Sequence, residues 1–294
     1  MRAGTPESPG WMAAATVALA AGVMVAGCLG GPAPAQARLA LATTTSVNDS
    51  GLLAFILPDF EVKNNAKVAV VAVGSGQALE IAKRGDADVV VAHSPAAEQA
   101  FMVEGSGVAR WQIMYNYFAI VGPDADPAGV RDAGNESDAF ARIMANGSVF
   151  VSRGDGSGTN AKELQIWTAL GVNVSTLPTT WYKSTGQGMA ATLNAAWQFN
   201  GYALTDEGTF WSQSGISPNA TGGLYLEFGG RASPTAELKN TYSVIQLNAT
   251  RTPSIHAALA SSFATWLTSP ETASLIASYS ANGHPLFFPD PRRT

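Results

Sequence analysis

At 294 residues, 46% hydrophobic and 13% charged, the chain has the makeup of a well-filled globule, which excludes disorder over most of its length. A formal net charge of −5, with no basic run beyond Arg292-Arg293, excludes a nucleic-acid surface. A single cysteine, Cys28, excludes an internal disulfide, and the scattered histidines His93, His256 and His284 give no metal-ligand spacing.

The amino end carries Arg2 and then an apolar, small-residue stretch over residues 12–27 that ends in Val25-Ala26-Gly27-Cys28. Residues 1–28 read as an export signal, with Cys28 placed as the lipid-bearing first residue of a mature lipoprotein; an uncleaved membrane anchor is the alternative. Residues 29–38, rich in Gly, Pro and Ala, read as a tether. Sequons at Asn48, Asn135, Asn146, Asn173, Asn219 and Asn248 permit surface glycosylation.

Leu39-Ala40-Leu41-Ala42-Thr43 predicts the first strand, and Ser50 opens a helix through Leu52, Leu53, Ile56 and Phe60 that Pro58 should kink or break. A strand over 67–73, a helix over 77–84, a strand over 88–92 and a helix over 95–104 follow. This βαβα order predicts an α/β fold with a mostly parallel sheet covered on both faces. Apolar segments 115–121 and 242–247 flank a middle block with its own strands (149–152, 202–204) and helices (137–145, 186–199). They read as two crossings between lobes, residues 39–118 with 247–294 forming one and 119–246 the other; a single continuous domain is the alternative. Helices over 254–267 and 269–279 close the chain, the last capped by Ser269 with Pro270 in its first turn.

Four segments sit where strands hand over to helices, the place where open parallel sheets bind ligands. They are Thr43-Thr44-Thr45-Ser46, then Gly74-Ser75-Gly76-Gln77, then Ser152-Arg153-Gly154-Asp155-Gly156-Ser157-Gly158-Thr159, and last residues 184–189 with 202–209. The third is the most specific. It packs hydroxyls, flexible backbone and one permanent cation at the start of a helix whose apolar positions are Ala161, Leu164, Trp167 and Leu170, with Gly171 placed to stop it. Unpaired N–H groups and a positive partial charge at that helix start suit an oxyanion. Arg153 either reaches such an anion or pairs with Asp155, and the two roles are compatible.

Enzymatic readings find little support. A nucleophile elbow around Ser157 needs glycines where Asp155 and Thr159 stand. A phosphate-cradling P-loop needs a lysine that Gly158-Thr159-Asn160 lacks. A serine hydrolase using Ser157 is therefore a remote alternative.

Taken together, Thr43-Thr44-Thr45-Ser46 with Ser50-Gly51-Leu52-Leu53, Gly74-Ser75-Gly76-Gln77-Ala78-Leu79, Gly85-Asp86-Ala87-Asp88-Val89-Val90 with His93, Tyr115-Asn116-Tyr117-Phe118 and Ser152-Arg153-Gly154-Asp155 resemble one family, the tungstate-binding lipoproteins of bacterial and archaeal importers. Trp181-Tyr182, Thr185-Gly186-Gln187-Gly188-Met189 and Leu204-Thr205-Asp206 extend the resemblance, which covers roughly residues 40–250. Ser75 stands where that pattern usually has Thr, and Gly156 and Asn160 replace its Asp and His.

The resemblance implies a two-lobed periplasmic-binding-protein fold of type II, with a mostly parallel sheet in each lobe and two crossing strands. It implies a tetrahedral oxyanion, tungstate, held in the cleft by Thr44, Thr45, Ser46, Ser75, Gly76, Ser152, Arg153, Ser157, Gly158 and Thr159. The partner would be an ABC permease with its ATPase, and the chain a monomer, anchored outside the cytoplasmic membrane through Cys28 or periplasmic. No cofactor, no catalytic group and no metal site apart from the oxyanion itself are implied. The arginine loop also resembles that of phosphate-binding proteins, so molybdate, phosphate and sulfate are the alternative ligands. A protonated oxyanion needs a carboxylate acceptor such as Asp155 or Asp49, whereas a site made only of donors favours a bare dianion.

Overall fold

Strand β1 (Ala37–Thr44) carries a short apolar run, and Leu39, Leu41 and Ala42 are fully buried in it, as befits a strand covered on both faces. The computed structural model describes residues 36–214, 223–231 and 234–294. The expected export signal, Cys28, most of the tether and the sequon at Asn219 lie outside the described residues.

After β1 come α1 (Thr45–Asp49), α2 (Leu52–Asn64), β2 (Ala66–Val73), α3 (Ser75–Lys83), β3 (Val89–Ala92), α4 (Pro95–Val103) and β4 (Gly107–Pro123). The middle block holds α5 (Glu136–Asn146), β5 (Phe150–Ser152), α6 (Gly158–Ala169), β6 (Tyr182–Ser184), α7 (Met189–Gln198), β7 (Ala203–Asp206), α8 (Glu207–Ser214) and β8 (Leu224–Gly229). The chain ends with β9 (Lys239–Leu247), α9 (Ala257–Leu267), α10 (Pro270–Ser278), the short β10 (Ser280–Ala281) and β11 (His284–Pro285), and β12 (Phe288–Arg293).

The main sheet runs β12-β4-β9-β3-β1-β2, with β7 and β8 pairing to β4. Parallel pairing, expected to predominate, joins β1 to β2 and β3 and β5 to β6, with one isolated parallel bridge between Phe150 and Tyr202. Strands β9 and β4 join antiparallel to their neighbours, so the sheet is mixed. The reason is directional: β4 carries the chain out of the first set of elements and β9 brings it back alongside, so the two must run oppositely.

Strand β4, 17 residues long, spans about 55 Å at ~3.3 Å per residue. It pairs with β9 as far as Tyr117 opposite Lys239 and then with β7 from Phe118 opposite Asp206. The handover separates two sets of core residues. In the first, alternation along the strands sends Leu41, Val89, Val91 and Val244 to one face, against Phe60 of α2 and Phe263 of α9. The same alternation sends Ala42, Val90 and Ile245 to the other face, against Leu79 of α3 and Phe101 of α4. In the second set Phe118 and Ile120 pack with Phe140 and Trp167, whose rings lie 4.7 Å apart. Val121 and Val151 face Met189 and Leu193 of α7.

Helix α2 continues through Pro58, so the break that the proline could have made does not occur. Pro58 and Ala54, whose carbonyl the proline leaves free, are both exposed, so that carbonyl is open to solvent. Strand β12, unanticipated because Pro289 and Pro291 interrupt it, lies at the sheet edge where proline is tolerated.

Candidate functional site

Three strands deliver the predicted site residues at their carboxyl ends. Thr44 ends β1, and Thr45 and Ser46 begin α1. Gly74 follows β2 and caps α3, which opens with Ser75 and Gly76. Ser152 ends β5, and after the arginine loop Ser157 caps α6, its hydroxyl accepting the Asn160 N–H. The arginine loop meets the other two. Arg153 donates from Nη2 to the Thr45 hydroxyl at 3.2 Å. A Cβ on Gly74 would lie 3.4 Å from the Ser157 Cα, and one on Gly158 would lie 2.6 Å from the His93 carbonyl oxygen, so backbone meets backbone where glycine permits it.

Arg153 is the centre of this meeting. Its side chain is 1% exposed and Nη2 also bonds Asp155 at 2.5 Å, while Nε and Nη1 have no partner among the described residues. A buried guanidinium with two unmet donors is costly unless something satisfies it. The buried Thr159 hydroxyl likewise has no partner. Of the first N–H groups of α6, Ser157 donates to Asp155 Oδ1 at 3.1 Å and Asn160 to the Ser157 hydroxyl at 3.2 Å. That leaves Gly158 and Thr159 with no partner in this turn. Of the two roles foreseen for Arg153, the pairing with Asp155 is present, and Nε and Nη1 are left without a partner among the described residues.

The other predicted residues are placed differently. Ser152 is in the same loop, but its hydroxyl donates at 2.6 Å to Glu163 Oε2, inside the second core. Glu163 also takes the Tyr182 hydroxyl at 2.7 Å, and burial, the largest influence, pushes its carboxyl up despite four donors. Ser75 is fully buried and accepts the His93 N–H at 3.4 Å. Gly76 faces Gly156 across the contact, 3.8 Å from its oxygen to a built Cβ. Thr44 and Ser46 touch each other, hydroxyl to hydroxyl, at 3.1 Å.

The sequence reading missed what lies behind Ser46. His93 Nε2 stands 3.2 Å from the Ser46 hydroxyl and Nδ1 2.9 Å from Asn240 Oδ1, and its ring stacks on Tyr242 at 4.8 Å. Burial, outweighing the attraction of Asp206 and Asp155 and reinforced by Arg153, drives the imidazole down to about 4, so it is neutral at pH 7. Nothing in residue spacing ties His93 to Asn240, 147 positions away. Cavities of 280 Å³, bordered by His93, Gly158, Lys162 and Asn240, and 530 Å³, bordered by Gly76, Asp155 and Gly156, flank the contact. Arg153 lines neither, because the loops close over it.

Donors gathered from three strand ends, around a buried cation, on a mixed sheet in which the long β4 serves two sets of partners, define an anion-binding protein of the periplasmic-binding type. The chain belongs to the PBP superfamily, whose domain model matches residues 31–271. The tungstate-binding protein TupA of Peptoclostridium acidaminophilum is 38% identical over 260 residues, covering 87% of each chain. Among solved structures, the tungstate ABC transporter protein from Geobacter sulfurreducens is 41% identical with a TM-score of 0.72, over 82% of this chain and 98% of that one. The tungstate-binding protein TupA from Desulfovibrio alaskensis G20 is 38% identical with a TM-score of 0.71, over 87% of this chain and 100% of that one.

Proposed function

We propose that this chain is an extracytoplasmic binding protein that captures tungstate between two lobes and delivers it to an ABC permease. The observation that carries the reading is the buried guanidinium of Arg153 with Nε and Nη1 unpartnered among the described residues, at the point where loops from β1, β2 and β5 converge. The lobes are residues 39–118 with 247–294 and 119–246, joined through β4 and β9, and the ligand contacts come from Thr45, Gly76, Arg153, Gly158 and Thr159. A relative's name gives the choice of tungstate; the site's chemistry gives the choice of a bare dianion. Both carboxylates that could accept a proton from hydrogen phosphate are otherwise engaged. Asp155 holds Arg153 and the Ser157 N–H, and Asp49 is exposed on α1 beside Asn48.

Catalysis has no support in the geometry: the Ser157 hydroxyl is a helix cap, and the buried histidine nearby is bonded to Ser46 and Asn240. Export and lipid anchoring through Cys28 are part of the same reading, resting on the sequence of residues 1–28.

Charge-assisted hydrogen bonds contribute about 1.5–3 kcal/mol each, so five donors reach the ~12 kcal/mol of nanomolar binding with little left to offset dehydration and closure. A thermal-shift panel of tungstate, molybdate, sulfate and phosphate tests the proposal. Tungstate at ~1,000 times Kd adds about 4 kcal/mol, which raises Tm by roughly 8–16 °C. A larger shift with phosphate than with tungstate would overturn the ligand assignment, and no shift with any of the four would overturn the oxyanion site.

A further inference from the structure

We propose that Asp206, Asn116, Asn240 and His93 form a positioning relay that turns the hydroxyl protons of Ser46 and Thr44 away from the anion, leaving Thr45 as the hydroxyl donor of that wall. The inference rests on the oxyanion reading above and assigns roles within it.

The relay has a direction, and its far end sets it. Asp206 is fully buried and receives three donors. The Thr209 N–H reaches Oδ1 at 2.9 Å, the Thr209 hydroxyl reaches Oδ2 at 2.7 Å, and Asn116 Nδ2 reaches Oδ1 at 2.9 Å. An acceptor so placed orients the Asn116 amide, whose oxygen then takes Asn240 Nδ2 at 2.8 Å. Asn240 must therefore turn its own oxygen to His93, 2.9 Å from Nδ1, so Nδ1 carries the ring proton and Nε2 offers a lone pair. The other hydrogen of Asn240 Nδ2 goes to the Tyr242 hydroxyl at 2.9 Å.

Ser46 then has no freedom left. Its one proton goes to His93 Nε2 at 3.2 Å. Its two lone pairs take the Tyr242 hydroxyl at 3.5 Å and the Thr44 hydroxyl at 3.1 Å, which fills a hydroxyl's capacity. Thr44 spends its proton in the same exchange. Thr45 is the opposite case: its oxygen accepts from Arg153 Nη2 at 3.2 Å, so its own proton is unassigned and lies beside the guanidinium that faces the anion.

The relay also joins distant parts of the chain. Asn116 and Asn240 are directly opposed in the ladder of β4 and β9, one residue before β4 passes from β9 to β7. Asp206 ends β7 in the middle block, and His93 follows β3. A displacement of β7 relative to β3 would break the chain of amides and release the Ser46 proton.

The test joins imidazole ¹⁵N NMR of the protein without anion to tungstate calorimetry. His93 should show the neutral Nδ1–H tautomer near pH 7; an Nε2–H tautomer or an imidazolium overturns the relay, whatever the ligand proves to be. Asn240→Leu should move His93 toward Nε2–H, a change that a merely structural asparagine would not produce, and an unchanged tautomer overturns the relay. Thr45→Val should weaken tungstate about tenfold or more, and Ser46→Ala by under about threefold while lowering the unliganded Tm. Ser46→Ala costing more affinity than Thr45→Val would overturn the division of roles. If the wild-type protein fails to bind tungstate, the ligand assignment falls, and the NMR result still decides the relay. Should Asn240→Leu not fold, the wild-type tautomer alone supports or overturns it.

Discussion

Replacing Arg153 with methionine separates ligand binding from scaffolding because the two roles predict opposite signs. The guanidinium is 1% exposed, and two of its nitrogens have no partner among the described residues. If those nitrogens hold the anion, Arg153→Met removes two charge-assisted hydrogen bonds of about 1.5–3 kcal/mol each, a total of about 3–6 kcal/mol and roughly 10²- to 10⁴-fold in Kd. The unliganded protein should lose little. Methionine fills most of the same volume, the unmet donors disappear, and Asp155, 17% exposed, keeps the Ser157 N–H. The cost that remains is Asp155 left without its cation, since losing one partner of a buried pair is destabilising, and its partial exposure and the Ser157 N–H reduce that cost. The assay pairs calorimetry or competition binding with thermal unfolding of the unliganded protein. A Kd within about threefold of wild type, together with a clear fall in unliganded Tm, would refute the reasoning and make Arg153 a structural partner of Asp155 and Thr45.

Three further outcomes follow from the same contacts. Ser152→Ala should cost about 1–3 kcal/mol of stability, because Glu163 loses its 2.6 Å donor, and should leave tungstate affinity unchanged; weakened binding in calorimetry would return Ser152 to the ligand shell. Gly158→Ala places a methyl 2.6 Å from the His93 carbonyl oxygen. It should lower affinity at least about tenfold and enlarge the liganded protein in small-angle scattering, although alanine is the better helix former; unchanged affinity would mean the loops do not close on one another. For His93, the folded value of about 4 lies below the ordinary 6.5, so the native state resists a proton that the unfolded chain accepts. Its contribution is complete above pH 6.5 and is lost as pH falls toward 4, about 3 kcal/mol in all. Urea titrations against pH should show this slope flattened in His93→Gln, and identical slopes would place the acid sensitivity elsewhere.

How far the sequence led depended on whether the signal was local. The strand-then-helix order of residues 39–104 was legible because β1, β2 and β3 are short apolar runs and α3 and α4 follow β2 and β3 at once. The parallel sheet was over-read because residues 115–121, legible as a crossing, do not announce that their strand runs antiparallel to both its partners, β9 and then β7. Pairing choice is a tertiary outcome. At the site, the arginine loop was readable from glycines, hydroxyls and a helix start in sequence. Hydroxyl count alone, however, could not tell that Ser152 turns inward to Glu163 or that Ser46 is saturated by His93, Thr44 and Tyr242. Those partners come from three other elements, so the distinction between a donor that faces the ligand and one already spent existed only after folding.

The glycines at the contact bear on what drives closure. Gly74 meets the Ser157 backbone and Gly158 meets His93, so the facing surfaces carry few side-chain atoms, and the apolar area they could bury against each other is small. If the lobes close on the ligand as proposed, closure through the protein's own contacts would be weak. The strongest term available would be the demand of Arg153, Thr159 and the first turn of α6 for acceptors, which an anion reaching both sets of loops would meet. A ligand shifts a two-state equilibrium only by its difference in affinity for the two states. Here nearly all of that difference lies on the arginine-loop side, with Thr45 and the start of α3 opposite it. An anion too small to touch both sides would bind Arg153 without closing the protein. The same glycines that let the backbones approach thus make closure report the size and charge of the guest, and larger residues at 74 or 158 should convert a closing protein into one that binds the anion loosely in the open state.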